Sequence, residues 1–178
     1  MSLLNTPNCL SLSRVLMAPL TAWLLHEGLA LLSVVAFMLV ILSDVLDGRV
    51  ARARAQVSVL GTLLDHGADA VFVSVMLATA AVLGLIPGAL PMLIVVAFVQ
   101  YALDGGAPVG AAPRGSQLGR INGIAYYVMV ACIMAVHHFF PVGLFADGVR
   151  ALAWVLVMTT SLSILSRAAY VWRVRRQA

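Results

Sequence analysis

Four of the seven acidic residues in this 178-residue chain, Asp44, Asp47, Asp65 and Asp69, fall within 26 consecutive positions. Asp44 and Asp47 are three apart and Asp65 and Asp69 four apart, spacings that place each pair on one face of a helix. Both pairs adjoin long apolar runs, and a carboxylate at membrane depth costs about 2.5–3.5 kcal/mol on insertion scales, so it marks a functional site by default. The connection around Arg49 to Gln56 is short. The two helices are therefore expected to be antiparallel neighbours, with all four carboxylates converging near one membrane surface. Unpaired carboxylates that close repel, and at least one stays protonated. Two divalent cations would balance four negative charges. Oxygen-only ligands select hard ions such as Mg²⁺, Mn²⁺ or Ca²⁺ over zinc or copper, and two such ions about 3.5–4 Å apart promote displacement at phosphorus. A charge belt of Asp44 and Asp47 with Arg49, Arg52 and Arg54 is the plainer reading, but it leaves Asp65 and Asp69 unexplained inside an apolar helix.

The elements that must position these residues are membrane helices. The chain is 62% hydrophobic and 10% charged, with a mean hydropathy of +1.03. Soluble domains run roughly 45–50% apolar and about 25% charged, so lipid is the expected solvent, and disorder, a fibre and a disulfide scaffold are excluded. Cys9 and Cys132 form no redox or zinc pattern. A span needs roughly 20 mostly apolar residues, and the chain divides into six: about Arg14–Leu25, Leu29–Leu46, Val57–Ile86 (stopped by Pro87-Gly88), Ala89–Leu103, Ile121–Phe140 and Val149–Trp172. Ahead of them, Asn5 to Arg14 reads as a short interfacial helix with Pro7 near its start. No repeat or long linker stands out, and the first residues are not expected to form a cleavable signal. The expectation is an all-α polytopic membrane protein, one domain over 1–178, of six transmembrane helices with a short N-terminal interfacial helix.

The eleven basic residues are all arginine, and the net charge is +4. Their scatter between apolar segments, without clustered aromatics, argues against nucleic acid as a partner. With both termini cytoplasmic, ten of the eleven fall on the inner side and only Arg150 outside. The aspartates then lie at the cytoplasmic face. A divalent-cation transporter, the reading from a different class, would want acids near the midplane and repeated or broken helices.

From Asp44 to Asp69 the chain reads DVLDGRVARARAQVSVLGTLLDHGAD, filling every fixed position of D-x2-D-G-x2-A-R-x8-G-x3-D-x3-D. This string resembles the CDP-alcohol phosphotransferases, also called CDP-alcohol phosphatidyltransferases. The resemblance implies transfer of a substituted phosphate from a CDP-linked donor to an alcohol with release of CMP. It implies that Asp44, Asp47 and Asp65 hold one divalent cation, Mg²⁺ or Mn²⁺, and that a second is shared with Asp69, the general base. At the remaining positions Gly48, Ala51 and Gly61 are small enough for a nucleotide to approach the helices, and Arg52 forks onto a phosphate or a cytosine edge; Asp47 joins them in CDP binding. The family also implies a homodimer.

Outside the string, Pro7-Asn8 with Ser11 and Arg14 resembles the family's N-x-x-T-x-x-R-like opening, a contributor to headgroup binding or an interfacial anchor. Pro113 to Arg120 resembles the P-S-x-x-G-K-x-x-T segment of glycerophosphate-using members, with Arg120 for lysine and Gly123 for threonine. Arg120, with Arg114 and Arg167, is the expected acceptor-binding set. Ser166 and Tyr170 resemble polar positions of the family's last helix, whereas His66 points to a different face from Asp65 and Asp69 and is given no role. The expected substrates are CDP-diacylglycerol, entering from membrane lipid, and a small polar alcohol, with glycerol 3-phosphate first. Inositol phosphate, serine or phosphatidylglycerol as acceptor, or a soluble CDP-alcohol with a lipid acceptor, are the alternatives within the class.

Overall fold

A computed structural model describes residues 6–53, 59–104 and 117–177, with side chains for 11–46, 61–103, 117–173 and 176. Among them are six helices and no strand: α1 (Thr6–His26), α2 (Ala30–Ala53), α3 (Val59–Val82), α4 (Ala89–Asp104), α5 (Gln117–Phe139) and α6 (Leu144–Gln177). Leu16, Leu31, Val82, Met92, Ile124 and Met158, one from each helix, are 66–80% exposed. Serine, threonine, asparagine and an arginine lie inside (Ser11, Arg14, Thr21, Ser33, Asn122 and Thr160 are all buried). An apolar exterior around polar groups suits lipid as solvent. Three helices, Gly61–Val82, Gln117–Phe139 and Leu144–Arg173, are long and apolar enough to cross a membrane, while Ala30–Leu46 and Ala89–Leu103 are shorter apolar stretches.

Three expectations about the elements change. The interfacial helix is not separate: α1 runs unbroken from Thr6 to His26, through Pro19. No breaker stands between Pro7 and Arg14, and the burial of Arg14 ties that stretch to the bundle. The third helix ends at Val82, ahead of Pro87. Gly84, at φ 73°, caps it: its N–H donates to Ala81 O and that of Leu85 to Ala80 O. This is a Schellman closure that requires a left-handed residue, and Gly28 closes α1 in the same way. Lastly, α1 packs closely on both α2 and α3. The two motif helices meet instead through Phe37 stacked on Phe72 at 6.2 Å. Ala18 and Ala22, buried and one turn apart on α1, keep this packing tight.

The core continues through Met76, Leu77 and Ala80 of α3, Leu90 and Ile94 of α4, Met129 and Ile133 of α5, and Ala153 and Leu156 of α6. α3 is central, touching α1, α4 and α5, while α6 closes the bundle against α4 and α5. At Gly67 a Cβ would come within 3.1 Å of Phe98 Cζ, so the missing side chain lets α4 seat its phenyl ring on α3.

Candidate active site

The site is built around a buried cation. Ser11 and Arg14 share a face of α1, and the Arg14 side chain is 0% exposed whereas Asp44, Asp65 and Asp69 keep 31–41%. Arg14 Nη1 donates to Asp44 Oδ1 at 2.7 Å and to Asp69 Oδ1, and Nη2 donates to Asp65 Oδ1. Nη2 also donates to Ser11 Oγ at 3.3 Å, and that hydroxyl donates to Asp65 Oδ1 at 3.2 Å. One oxygen from each of the three aspartates lies within 4.8 Å of the others. Three negative charges against one positive leave an excess of two, the charge of one divalent cation. The donor set is oxygen only and hard, so Mg²⁺ or Mn²⁺ fits it.

Beside the carboxylates, Phe37, Phe72 and Tyr127 stack on one another at 6.1–6.4 Å. Phe72 follows Asp69 by three residues and Phe37 precedes Asp44 by seven, so both rings fall on the faces of α2 and α3 that carry the acids. Tyr127 supplies the polar edge of this trio. Its hydroxyl donates to Asp69 Oδ1 at 2.7 Å, and the stacked rings hold it in place.

Asp44, Asp69 and Tyr127 open on a cavity of about 580 Å³ bounded also by α4, α5 and α6. Its lining includes Arg120 and Asn122 of α5, Gln100 and Tyr101 of α4, and Thr160, Ser163 and Arg167 of α6. The α6 residues recur at helical spacing, which puts them on one face. Tyr126 and Thr160 share a hydrogen bond of 2.6 Å, and Gln100 Nε2 donates to Ile164 O at 3.1 Å. Asn122 is buried and its Nδ2 has no hydrogen-bond partner among the described residues. His66 stacks on Tyr101 at 5.4 Å, and the Arg167 guanidinium lies 5.1 Å from the centre of the same ring.

Residues 4–165 match the family profile described as CDP-alcohol phosphatidyltransferase. The chain belongs to this family. Over 69 residues it is 42% identical to a protein of Aquifex aeolicus named CDP-diacylglycerol–glycerol-3-phosphate 3-phosphatidyltransferase, covering 39% of each chain. Over 90 residues it is 37% identical to a protein of Homo sapiens named cardiolipin synthase (CMP-forming), covering 50% of this chain and 30% of the relative. A protein of the same name from Streptomyces coelicolor is 39% identical over 79 residues, covering 39% of this chain and 35% of the relative. Each match spans less than two-fifths of the relative's own length.

Within this CDP-alcohol phosphatidyltransferase chain, Asp44, Asp65 and Asp69 of the motif meet as expected. Asp47, Gly48, Ala51 and Arg52 belong to the C-terminal turns of α2, and their side chains lie outside the described residues, as does Arg114 altogether. Gly61 is half-buried in the first turn of α3. Arg120 and Arg167 line the cavity with the acids. Ser166 donates to Ser163 O on an exposed surface and Tyr170 is exposed, so the cavity face of α6 is that of Thr160, Ser163 and Arg167 instead. His66, given no role from its helical position, lines the cavity as well, because the pocket reaches around α3 toward α4. Two residues do more than the sequence shows. Arg14, expected only as a headgroup contact or an anchor, sits at the centre of the acids; its signal is theirs, a charge beside an apolar run, three residues from a serine. Tyr127, within a membrane-like helix, gives no signal at all.

Proposed function

We propose that this chain is an integral-membrane enzyme that transfers a phosphatidyl group from CDP-diacylglycerol to a small polar alcohol, with glycerol 3-phosphate the first candidate, and releases CMP. The observation that carries the reading is the meeting of Asp44, Asp65 and Asp69, of which Asp44 and Asp69 open on a cavity that Arg120 and Arg167 also line. Asp44, Asp47, Asp65 and Asp69 would hold two divalent cations, which when bound supply a clamp for the donor diphosphate and neutralise charge on the departing CMP. The chain's own groups do the rest. Asp69 accepts the proton of the acceptor hydroxyl, and the Tyr127 hydroxyl on Oδ1 orients that carboxylate. The acceptor oxygen bonds to the phosphorus that bears diacylglycerol, and the bond from that phosphorus to the CMP oxygen breaks, its electron pair leaving on CMP. Gly48, Ala51, Arg52 and Gly61 receive the nucleotide. Arg120 and Arg167, joined by Arg114, take the acceptor's phosphate through charge-assisted hydrogen bonds, and Asn122 Nδ2 offers a donor to an acceptor hydroxyl.

The reading includes a single domain of six membrane spans, both termini and the active site on the cytoplasmic side, and assembly as a homodimer. Phosphatidylglycerol is the second acceptor to consider. The cavity wall carries Ile94, Ala97, Phe98, Ile124 and Ile164 beside the polar groups, room for part of an acyl-bearing molecule, and two of the relatives above are named cardiolipin synthase.

The test is purified protein with CDP-diacylglycerol, Mg²⁺ or Mn²⁺ and a panel of glycerol 3-phosphate, inositol phosphate, serine and phosphatidylglycerol, following CMP by chromatography. CMP with glycerol 3-phosphate supports the first reading and CMP with phosphatidylglycerol alone the second. No CMP with any acceptor, while divalent ions cross liposomes containing the protein, would replace the enzyme by a transporter.

A further inference from the structure

We infer that Arg14 is the resident counter-cation of the aspartate cluster and competes with divalent metal for the same carboxylates, so that this one residue sets how tightly the site holds metal. The inference rests on the proposed metal-dependent reading.

Three observations carry it. The Arg14 side chain has no exposure, although the three carboxylates it binds remain partly open. Its two terminal nitrogens reach acids on both α2 and α3. Ser11, one turn earlier on α1, accepts from Nη2 and donates to Asp65, so a hydroxyl of the same helix ties that end of the guanidinium to the carboxylate it binds. A charge buried this completely persists only when paired. Its pairing in turn lets three carboxylates come together within 4.8 Å.

The consequence for metal follows from charge. A dication entering the cluster meets one oxygen of each aspartate already accepting from Arg14. Whether the guanidinium stays on those oxygens or withdraws, its positive charge opposes the incoming one. Coupling of this kind is reciprocal: what Arg14 takes from metal affinity, metal takes from the stabilisation that Arg14 gives the cluster. Arg14 is thus a positioning residue that keeps the carboxylates assembled without metal, at the expense of the affinity for metal.

The experiment uses the full chain in detergent, stripped with a chelator and without substrate, as wild type, Arg14→Gln and Arg14→Lys. Mn²⁺ is titrated by the paramagnetic resonance signal of the free ion, and thermal unfolding is followed with and without Mn²⁺. Competition predicts that Arg14→Gln unfolds at a lower temperature when stripped, binds Mn²⁺ at least about fivefold more tightly than wild type, and gains more in Tm from Mn²⁺ than wild type does. Arg14→Gln that folds only with Mn²⁺ present gives the same support. An equal loss of Tm with and without Mn²⁺ overturns the inference, because that is what lost packing alone would do. Weaker Mn²⁺ binding overturns it too, since Arg14 would then be organising the metal ligands. If Arg14→Gln folds in neither condition, Arg14→Lys decides. The ammonium keeps the charge but sits on a shorter stem and lacks the guanidinium's two-nitrogen fork, so its hold on carboxylates of both α2 and α3 is weaker. Mn²⁺ must then bind more tightly than to wild type, and unchanged or weaker binding overturns the proposal. Equal binding by all variants sinks this inference alone, whereas no Mn²⁺ binding by any of them sinks the metal reading with it.

Discussion

In the proposed reaction Asp69 would serve as both metal ligand and base. Oδ1 is engaged by Arg14 and by the Tyr127 hydroxyl, which fixes the carboxylate plane. Asp69→Asn keeps the shape and removes the basic oxygen. Turnover should fall by about 10²–10⁴, the usual range for a general acid or base, while binding of CMP is largely retained; near-normal CMP release by this variant would remove Asp69 from the role. Tyr127→Phe deletes only the hydroxyl and keeps the stack with Phe37 and Phe72. A hydrogen bond to a charged group contributes about 1.5 kcal/mol to stability, so Tm should fall by a few degrees, and kcat should drop because the Asp69 carboxylate is no longer oriented. At this scale the sequence shows the acids well, because a carboxylate beside an apolar run is costly and is kept only where it is used. Arg14 is harder to see. In a sequence whose basic residues are all arginine it reads as one more topological charge, and only the packing of α1 on both α2 and α3 turns it into the centre of the cluster.

The helices place chemistry by face. α3 presents Asp65 and Asp69 toward Arg14 and His66 toward Tyr101, so one helix serves both the carboxylate cluster and the side of the cavity proposed to receive the acceptor. Tyr101 and Arg167 couple α4 to α6 there through a cation–π contact, a kind of interaction that contributes about 0.5–2 kcal/mol. Arg167→Ala should therefore raise the acceptor KM with little effect on kcat. Tyr101→Leu should raise it by a smaller factor, and Tyr101→Phe, which keeps the ring, should restore it. An unchanged KM in Arg167→Ala would detach this wall from acceptor binding. Helix ends obey local chemistry instead. Gly84→Ala should lower stability by about 1 kcal/mol or more, because alanine is strained at positive φ, without altering kcat per folded molecule. That stop was expected three residues later, at Pro87, since proline and glycine both punctuate a helix and periodicity cannot rank them. Likewise, the short connection between the motif helices suggested direct neighbours. Nothing in a linear pattern shows that α1, with Ala18 and Ala22 buried, slots beside both.

For the whole molecule, apolar surface on every helix and polar groups within identify the solvent as lipid. Composition alone had already led there, because so few charged residues leave no polar shell. The proposed orientation rests on the arginines: six spans with cytoplasmic termini would put ten of the eleven on the inner side, so an alkaline phosphatase fusion at the C-terminus in a bacterial host should be inactive and a fluorescent protein fused there should fluoresce. The reverse pattern would turn the molecule over and put the aspartates on the outer face. The acceptor is the least legible part, since the cavity takes its shape jointly from five helices, and Arg114, proposed to join it, lies outside the described residues.

The most direct test is the formation of CMP together with a new phospholipid from CDP-diacylglycerol and glycerol 3-phosphate, measured for wild type and Asp65→Asn with Mg²⁺ and after chelation. Equal amounts of CMP and phospholipid from wild type with Mg²⁺, and neither after chelation or from Asp65→Asn, is the predicted result. Product formed equally well without divalent metal, or undiminished in Asp65→Asn, would contradict a metal-dependent transferase built on this aspartate cluster.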